Sequence, residues 1–283
     1  MRLPISIVIT TIGEEILERN IFNLIDSKYF FDEIFIVIPN IYKKKKYEEF
    51  KKYKNVKFFY TDFKGQVNQR IFGFKKSKNK FILQLDCDCI IVPEHIYNLY
   101  YHLINIKDDN SAIAPVYYNE NTKFPIHKYD NSWTDSIKNI LTYIICGSKF
   151  GIFKMGTISK IGNNYGVDPT YMVNELYPVE WLPGGCILHH KKNLVLDNYY
   201  PFIGKAYCED LIHSYHLRNK KIELYVSKKS SCFTEIPYLP SSFMELSKYL
   251  NAQKYFTKLL NNKVKIGFYI WMYLTYIRYM TSK

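Results

Sequence analysis

Four short apolar runs dominate the first 90 residues, and segments with helical spacing separate them. The runs are rich in β-branched and aromatic residues and cover residues 5–9, 33–38, 56–60 and 81–85. Runs of this length predict buried strands, and the segments between them predict helices over Glu14–Ser27, Ile41–Tyr53 and Val67–Lys76. Alternation of this kind favours βαβ units. The sequence therefore predicts an α/β fold with a mainly parallel sheet flanked by helices.

Polar residues follow these strands where parallel sheets bind ligands, which is beyond the carboxyl ends of the strands. The residues at these positions are Thr10, Thr11, Pro39, Asn40, Thr61, Asp62, Asp86 and Asp88. No GxGxxG motif follows the first strand, and no GxxxxGK[ST] motif occurs in the chain. The sequence therefore excludes the usual dinucleotide-binding and P-loop classes.

The strongest local signal is Asp86-Cys87-Asp88, which follows the fourth apolar run directly. Two carboxylates held close together repel each other unless a cation or hydrogen-bond donors compensate them. Oxygen ligands suit Mg²⁺ or Mn²⁺, and a six-coordinate ion leaves positions open for phosphate oxygens. The motif also occurs in solvated surface turns, so its place after a buried strand is what favours a metal site.

Several motifs occur in a characteristic order along the chain, namely Ser6–Thr11, Lys64–Arg70, Asp86–Asp88, Trp181–Gly185 and Glu209-Asp210. In this order they resemble family 2 of the inverting glycosyltransferases, particularly the bacterial enzymes that build surface polysaccharide or lipopolysaccharide. The resemblance covers about residues 4–230. It implies the GT-A fold, a Rossmann-like α/β architecture, to which this chain adds a C-terminal helical extension.

The resemblance also implies a role for each matching residue. The nucleotide-sugar donor would be bound by Thr10, Thr11, Asp62, Arg70 and Asp86. A Mg²⁺ or Mn²⁺ ion bridging the donor diphosphate would be bound by Asp88 with Asp86. The general base that deprotonates the acceptor hydroxyl would be Asp210, and the acceptor side would be formed by Trp181, Gly184, Gly185 and Glu209.

Inverting transfer needs a base on one face of the anomeric carbon and a cation on the leaving-group side, and Asp210 at a helix start suits the first need. The helix dipole is expected to lower the pKa of this carboxyl. Other interpretations remain open for three elements. The Glu209-Asp210 pair is also an ordinary acidic first turn, Arg70 also suits a surface helix cation, and Trp181 also suits the core.

Two features depart from the family pattern. The second strand ends in Ile38-Pro39-Asn40, where family members commonly carry an acidic pair, so the sequence does not identify the donor base. The segment Ser231–Glu235 contains no His, although a His after the last strand often supplies a further metal or phosphate contact. Metal binding is therefore expected to rest on Asp88 and the donor itself.

We divide the chain into a glycosyltransferase domain over residues 1–240 and a C-terminal segment over residues 241–283. Within the domain, residues 1–110 form the predicted nucleotide-binding half and residues 111–240 the acceptor and catalytic half. The C-terminal segment is helical in pattern, and Ile266–Met280 is rich in aromatic residues. These 15 residues, which Arg278 interrupts, form a helix too short to span a bilayer core of about 30 Å. Peripheral membrane contact, packing on the domain and oligomer contact all remain open for it.

The net charge of +13 suggests an anionic partner, but only 5 of the 39 cationic side chains are Arg. Because proteins that read nucleic acid favour Arg, we expect no nucleic-acid partner and weigh an anionic membrane surface against simple Lys enrichment. The start of the chain shows no secretory leader, and the six cysteines form no CxxC pair. We therefore expect reduced thiols and a cytoplasmic protein, placed peripherally on the inner membrane face if the C-terminal helix binds lipid.

These patterns together predict a metal-dependent inverting glycosyltransferase. It would transfer a sugar, in the manner of a hexosyltransferase, from a nucleotide-sugar donor to a hydroxyl of a glycan or lipid-linked acceptor in surface polysaccharide biosynthesis. The alternative is a non-catalytic GT-A-like module that binds at a membrane or polysaccharide surface. The two hypotheses differ in whether a bound nucleotide sugar is turned over.

Overall fold

The first half of the chain forms the predicted parallel sheet. The computed structural model describes residues 1–129, 133–235, 240–263 and 265–281. Four parallel strands stand in the order β3-β2-β1-β4 and cover β1 Arg2–Thr10, β2 Phe30–Pro39, β3 Val56–Thr61 and β4 Phe81–Asp86. Helices α1 (Ile16–Ile25) and α2 (Gln66–Lys76) follow β1 and β3. The carboxyl ends of all four strands, where a ligand is expected, therefore lie on one edge of the sheet.

The helix predicted over Ile41–Tyr53 is not an α-helix. This connection forms two 3₁₀ segments, Asn40–Tyr42 and Lys45–Lys52. Its Lys43–Lys46 run places like charges within one helical turn, which weakens an α-helix. Two aromatic residues, Tyr47 and Phe50, nevertheless bury themselves against the sheet. The connection therefore still packs on the core, through these two rings.

The second half of the chain extends the same sheet. Its elements are β5 Ile90–Ile91, α3 Pro93–Asn105, β6 Ser111–Asn119, α4 Trp133–Cys146, β7 Leu176–Val179, β8 Cys186–His190, α5 Glu209–Asn219 and β9 Glu223–Thr234. Strand β8 joins β4 to β6 in antiparallel pairings, and β9 runs parallel to β6. Strands β5 and β7 pair antiparallel with β9. Of the nine strands in the described residues, six run in one direction, which confirms the predicted α/β class.

Strand β1 is apolar on both faces because helices cover both faces of the sheet. Ile7 and Ile9 pack with Leu17 of α1, and Val8 packs on the opposite face with Phe74 of α2. A Cβ on Gly73 would collide with Val8, so the glycine lets α2 lie close against β1. This close packing brings the side chains of α2 to the end of β4.

The C-terminal segment forms two helices rather than one, α6 (Phe243–Asn261) and α7 (Ile266–Thr281). Asn262 adopts a left-handed backbone with φ of 59° and ends α6. Phe256 of α6 is buried in the domain core, and Phe268 of α7 is buried against Cys146 of α4. Both helices therefore pack on the domain. Among the described helices, none is long and apolar enough to cross a bilayer.

Parts of two sequence predictions lie outside the described residues. Residues 236–239 adjoin the predicted domain boundary at 240/241, and residues 264, 282 and 283 belong to the predicted helical segment. The division of the chain into a domain and an extension stays a prediction.

Candidate functional site

The site begins where β1 and β4 end side by side. Thr10 pairs in register with Asp86, and its Oγ1 donates to Asp86 Oδ1 at 3.3 Å. Gln66, the first residue of α2, donates through Nε2 to Asp86 Oδ2 at 2.7 Å. The carboxylate of Asp86 is thus held in place by donors from two other elements.

Arg70 of α2 joins this carboxylate to a residue from the far end of the domain. Its side chain is 2% exposed, and Nη2 donates to both oxygens of Asp86 at 2.8 and 2.9 Å. Its Nη1 donates to Glu209 Oε2 at 2.6 Å. Burial opposes the charge, but Asp86 and Glu209 outweigh it and raise the pKa of Arg70. The interpretation of Arg70 as a surface cation is therefore wrong.

Gly184 and Gly185 lie between the two ends of this ion-pair network. A Cβ on Gly184 would lie 2.9 Å from Glu209 Oε2 and 3.3 Å from the Cβ of Asp210. A Cβ on Gly185 would collide with Cys89 and lie 3.6 Å from Asp86 Oδ2. The glycine pair lets β4 and α5 approach each other closely. It therefore brings Asp86 and Asp210 to the same pair of adjacent glycines.

Asp210 stands in the first turn of α5 and is partly buried. Burial, reinforced by the charge of Glu209, raises the pKa of Asp210 to about 7. The expectation that the helix dipole lowers this pKa is wrong, because desolvation and the neighbouring carboxylate outweigh the dipole and the hydrogen bond from Leu211 N at 2.9 Å. A carboxylate with a pKa near neutrality accepts a proton more readily than an ordinary one.

Asp88 lies two residues beyond Asp86, in the turn after β4, and its side chain reaches solvent. Protein surrounds much of its carboxylate, and this desolvation together with the charge of Asp86 raises the pKa of Asp88 to about 6. Arg70, which also acts on Asp210, opposes the rise. A bound cation would relieve the same repulsion.

Within the described part of the chain, no three His, Cys, Asp or Glu side chains cluster as a complete metal site. Asp86 is engaged by Arg70 and Gln66, whereas no described side chain donates a hydrogen bond to Asp88. The donor chemistry fits a hard divalent ion bound by Asp88, with further oxygens supplied by a ligand. The fit is weaker for Asp86, whose two oxygens already accept hydrogen bonds.

Two predicted donor-binding residues lie farther along the same edge. Thr11 Oγ1 donates to Glu14 Oε2 at 2.5 Å and accepts from Gly13 N at 2.8 Å, so its hydroxyl is engaged within its own loop. Asp62 is exposed at the end of β3 and accepts from Asn40 Nδ2 at 2.5 Å. Because β2 and β1 separate β3 from β4, Asp62 does not contact the network around Arg70.

Trp181 is 4% exposed and packs with Leu211 of α5 and Phe256 of α6. Its Nε1 donates to the carbonyl oxygen of Tyr165 at 3.0 Å. The ring thus packs against α5, the helix that carries Asp210. The structure therefore favours the interpretation of Trp181 as a core residue. Direct contact of Trp181 with an acceptor stays a prediction.

Sequence reasoning did not single out two members of the network, Gln66 and Tyr199. Gln66 lies four residues before Arg70, so helical spacing could have placed both on one face of α2. Tyr199 donates its hydroxyl to Glu209 Oε1 and stacks on His213 with ring centroids 5.3 Å apart. It lies in an irregular segment, and no local pattern in the sequence signals this contact.

Comparison with known proteins identifies the family of the chain. The sequence profile of glycosyl transferase family 2 matches residues 6–159, more than half of the chain. The chain belongs to glycosyl transferase family 2. The matched segment contains the second half of β1, all of β2 to β4 and the Asp86–Asp88 motif, and the match confirms the predicted family. No curated protein sequence matches this chain.

Solved glycosyltransferase structures share the GT-A fold of this family member. A crystal structure of GalNAc-T7 with UDP, GalNAc and Mn²⁺ superposes with a TM-score of 0.62 at 18% identity, covering 89% of this chain and 50% of that one. Crystal structure of S. aureus TarS residues 1–349 with UDP-GlcNAc gives a TM-score of 0.56 at 12% identity, covering 92% and 67%. The chain thus spans half of the first structure and about two thirds of the second.

Replacing Arg70 by Met is expected to destabilise the protein by about 3–5 kcal/mol at neutral pH, because Asp86 and Glu209 would remain buried without their partner. Urea unfolding measures the change. Arg2→Met is the control, since Arg2 pairs with Asp32 at the surface and is 76% exposed, and its loss should cost much less than the loss of Arg70. Equal losses in the two variants would contradict the role of Arg70.

Replacing Asp210 by Asn is expected to stabilise the protein above neutral pH. Folding raises the pKa of Asp210 from 3.8 to about 7, so its charge lowers native stability progressively as pH rises between these values. The variant should gain about 1–3 kcal/mol at pH 8 and nothing at pH 4. Urea unfolding at both pH values measures this, with exposed Asp108→Asn as control. A gain that does not depend on pH would contradict the pKa.

Proposed function

We propose that this chain is a metal-dependent inverting glycosyltransferase that uses a nucleotide-sugar donor. The observation that carries the proposal is that Asp86, two residues before Asp88, lies beside Gly185 while Asp210 lies beside the adjacent Gly184. One side offers oxygens for a cation, and the other offers a carboxylate with a pKa of about 7. Membership of glycosyl transferase family 2 supports the assignment.

In the proposed reaction, Asp210 takes the proton of an acceptor hydroxyl. The hydroxyl oxygen then forms a bond to the anomeric carbon from the face opposite the nucleoside diphosphate. The bond from the anomeric carbon to the diphosphate oxygen breaks, and its electron pair leaves with the diphosphate. Attack from the opposite face inverts the anomeric configuration, and Asp210 holds the proton at the end of the transfer.

Asp88 would hold the Mg²⁺ or Mn²⁺ ion, which supplies a positive charge beside the diphosphate leaving group. Arg70 fixes the position of Asp86 next to this site and holds Glu209 beside Asp210. Thr10, Thr11 and Asp62 lie along the edge where the nucleotide would bind. The GalNAc-T7 and TarS structures contain UDP and UDP-GlcNAc, which supports a nucleotide-sugar donor here.

We further propose that the acceptor is a glycan or a lipid-linked glycan and that the reaction belongs to surface polysaccharide biosynthesis in the cytoplasm. The support is the order of motifs shared with bacterial enzymes of that kind. A hexose-type sugar as the transferred group rests on the same resemblance.

A second candidate is a GT-A-like module that binds a nucleotide sugar without turnover. The ion pair between Asp86 and Arg70 favours it, because this pair leaves Asp88 as the carboxylate of the motif that is open to a cation. A thermal-shift screen of UDP-, GDP-, CMP- and dTDP-sugars with and without Mn²⁺ identifies the donor for either candidate. Release of the nucleotide from the stabilising donor (a diphosphate from UDP-, GDP- or dTDP-sugars, CMP from CMP-sugars) then separates them.

We propose in addition that the protein binds peripherally to an anionic membrane through α4, α7 and the turn after α4, called here the α4–α7 face. Its exposed apolar residues are Ile137, Ile140, Leu141, Tyr143, Ile144, Phe150, Ile152, Phe153, Ile266, Tyr269, Ile270, Tyr273, Leu274, Ile277 and Met280. Ile144, Ile266 and Ile270 line one cavity of about 770 Å³, so the two helices form a joint surface. Contiguous apolar surface of this extent is unusual on an isolated soluble domain.

Charge supports an anionic lipid as the partner of the α4–α7 face. Residues 136–167 contain four Lys and no Asp or Glu, and residues 246–283 contain seven cationic residues and no Asp or Glu. Lys149, Lys160 and Lys265 line the cavity between the helices. Aromatic and aliphatic residues flanked by Lys are typical of helices that lie in the headgroup region.

The catalytic proposal predicts that Asp88→Ala and Asp210→Asn each abolish sugar transfer while the protein stays folded. Asp210→Asn removes the base, and Asp88→Ala removes the metal ligand. Release of nucleoside diphosphate and acceptor glycosylation measure the loss. Asp108→Asn should transfer at the wild-type rate, because Asp108 precedes β6 on the opposite edge of the sheet. Full activity in both site variants would refute the mechanism.

The membrane proposal predicts that wild-type protein sediments with vesicles that contain phosphatidylglycerol and less with pure phosphatidylcholine vesicles. Ile144→Asp with Ile270→Asp should weaken binding roughly tenfold or more, because each Asp opposes insertion of the α4–α7 face. Tyr101→Asp with Ile104→Asp is the matched control on α3, where both side chains are also exposed. Equal binding by the two double variants would contradict the assignment of this face.

A further inference from the structure

A cavity of about 410 Å³ lies between α6 and the loop that precedes the first turn of α5. Its lining combines aromatic rings with amino groups, from Tyr200, Phe202, Ile203, Lys205, Tyr207, Lys248, Asn251, Lys254, Tyr255 and Lys258. We call it the lysine cavity. None of its lining residues belongs to the network around Arg70, so its chemistry needs a separate explanation.

The four lysines of the lysine cavity have no carboxylate partner within ion-pair distance in the described part of the chain. The hydrogen bond from Tyr207, together with the charges of Lys205 and Lys248, lowers the pKa of Glu245 in the first turn of α6. Its carboxylate accepts from the Tyr207 hydroxyl at 2.7 Å and from Ser241 Oγ at 3.3 Å. The cavity therefore keeps a strong excess of positive charge.

Three of the lysines are arranged on one face of α6. Lys248, Lys254 and Lys258 follow each other at helical spacing, with Asn251 between the first two. Lys254 and Lys258 stand four residues apart, where like charges repel and weaken a helix. A bound anion would remove this repulsion, and ammonium groups are effective partners for phosphate oxygens.

The lysine cavity continues toward the candidate active site. Tyr200, Phe202 and Ile203 line both it and a second cavity of about 250 Å³, whose lining includes Gln66. Gln66 donates to Asp86, so the second cavity adjoins the ion-pair network. Tyr207 lies three residues before Asp210, which places the lysine cavity on the side of the proposed base.

We propose that the lysine cavity binds the phosphate groups of a sugar acceptor while the acceptor hydroxyl reaches Asp210. The proposal rests on the proposed function and names its acceptor class, a phosphate-bearing sugar. The aromatic rings of Phe202 and Tyr255, whose centroids lie 5.5 Å apart, offer apolar surface beside the cations for the sugar part. Lys205 and Lys254 lie over the rings of Tyr207 and Tyr269, but a neutral oligosaccharide would leave all four ammonium groups without an anionic partner.

Binding of inorganic pyrophosphate in the presence of EDTA, measured by calorimetry, tests the proposal without the metal or turnover. Lys254→Gln with Lys258→Gln should weaken binding about tenfold. Lys54→Gln with Lys57→Gln, a pair of exposed lysines near β3, removes the same charge and should leave binding unchanged. Asp88→Ala should also bind like the wild type. Equal affinity in all proteins, or weakening only in Asp88→Ala, would overturn the proposal.

Transfer assays then distinguish the two sources of the phosphate. A soluble sugar 1-phosphate and a polyprenyl diphosphate sugar in detergent serve as acceptors. For the preferred acceptor, kcat/KM should fall in the Lys254 and Lys258 double variant. It should stay at the wild-type value in the Lys54 and Lys57 control. If the double variant loses binding to phosphatidylglycerol vesicles but binds pyrophosphate normally, the cavity is a membrane contact and the proposal fails. If pyrophosphate binds as expected but no donor is turned over, the assignment of the lysine cavity as a phosphate-binding site is retained and the proposed function is refuted.

Discussion

The candidate site depends on the two ion pairs that the buried guanidinium of Arg70 forms with Asp86 and Glu209. The guanidinium connects Asp86 at the end of β4 with Glu209 at the start of α5, and Glu209 lies 139 positions after Arg70 in the sequence. Removing either carboxylate would leave buried charge unbalanced. Because the guanidinium is planar and its donors point in fixed directions, it also sets the positions of the residues that adjoin its partners. Asp88 and Asp210 adjoin these partners, and both remain available to ligands.

The glycine pair and the ion-pair network act together on the two open carboxylates. Gly184 and Gly185 let the strand ends and α5 approach closely, and this crowding excludes water from around Asp210. Glu209 adds a charge beside Asp210, and Asp86 adds one beside Asp88. Each open carboxylate therefore has a raised pKa for the same two reasons, desolvation and a neighbouring carboxylate that is itself held by Arg70.

Much of this arrangement could be predicted from local pattern. The apolar runs predicted the carboxyl ends of β1 to β4 to within one residue, although β1 and β2 begin three residues earlier than predicted. The strand-end rule placed Thr10 and Asp86 on the ligand edge of the sheet, where they pair in register. The burial of Arg70 and the direction of the pKa shift at Asp210 could not be predicted, because both arise from contacts between residues far apart in sequence. The 3₁₀ conformation of the Ile41–Tyr53 connection was also not predicted, because apolar spacing carries no information about repulsion between neighbouring lysines.

Anomalous diffraction from crystals grown with the donor identified by screening and Mn²⁺ tests the central claim most directly. The account predicts a manganese peak about 2 Å from a carboxylate oxygen of Asp88 and from diphosphate oxygens of the donor. It also predicts that the sugar lies between that ion and Asp210, with the Arg70 ion pairs intact. A donor bound away from the Gly184-Gly185 pair, or a sugar whose anomeric carbon faces away from Asp210, would contradict the account.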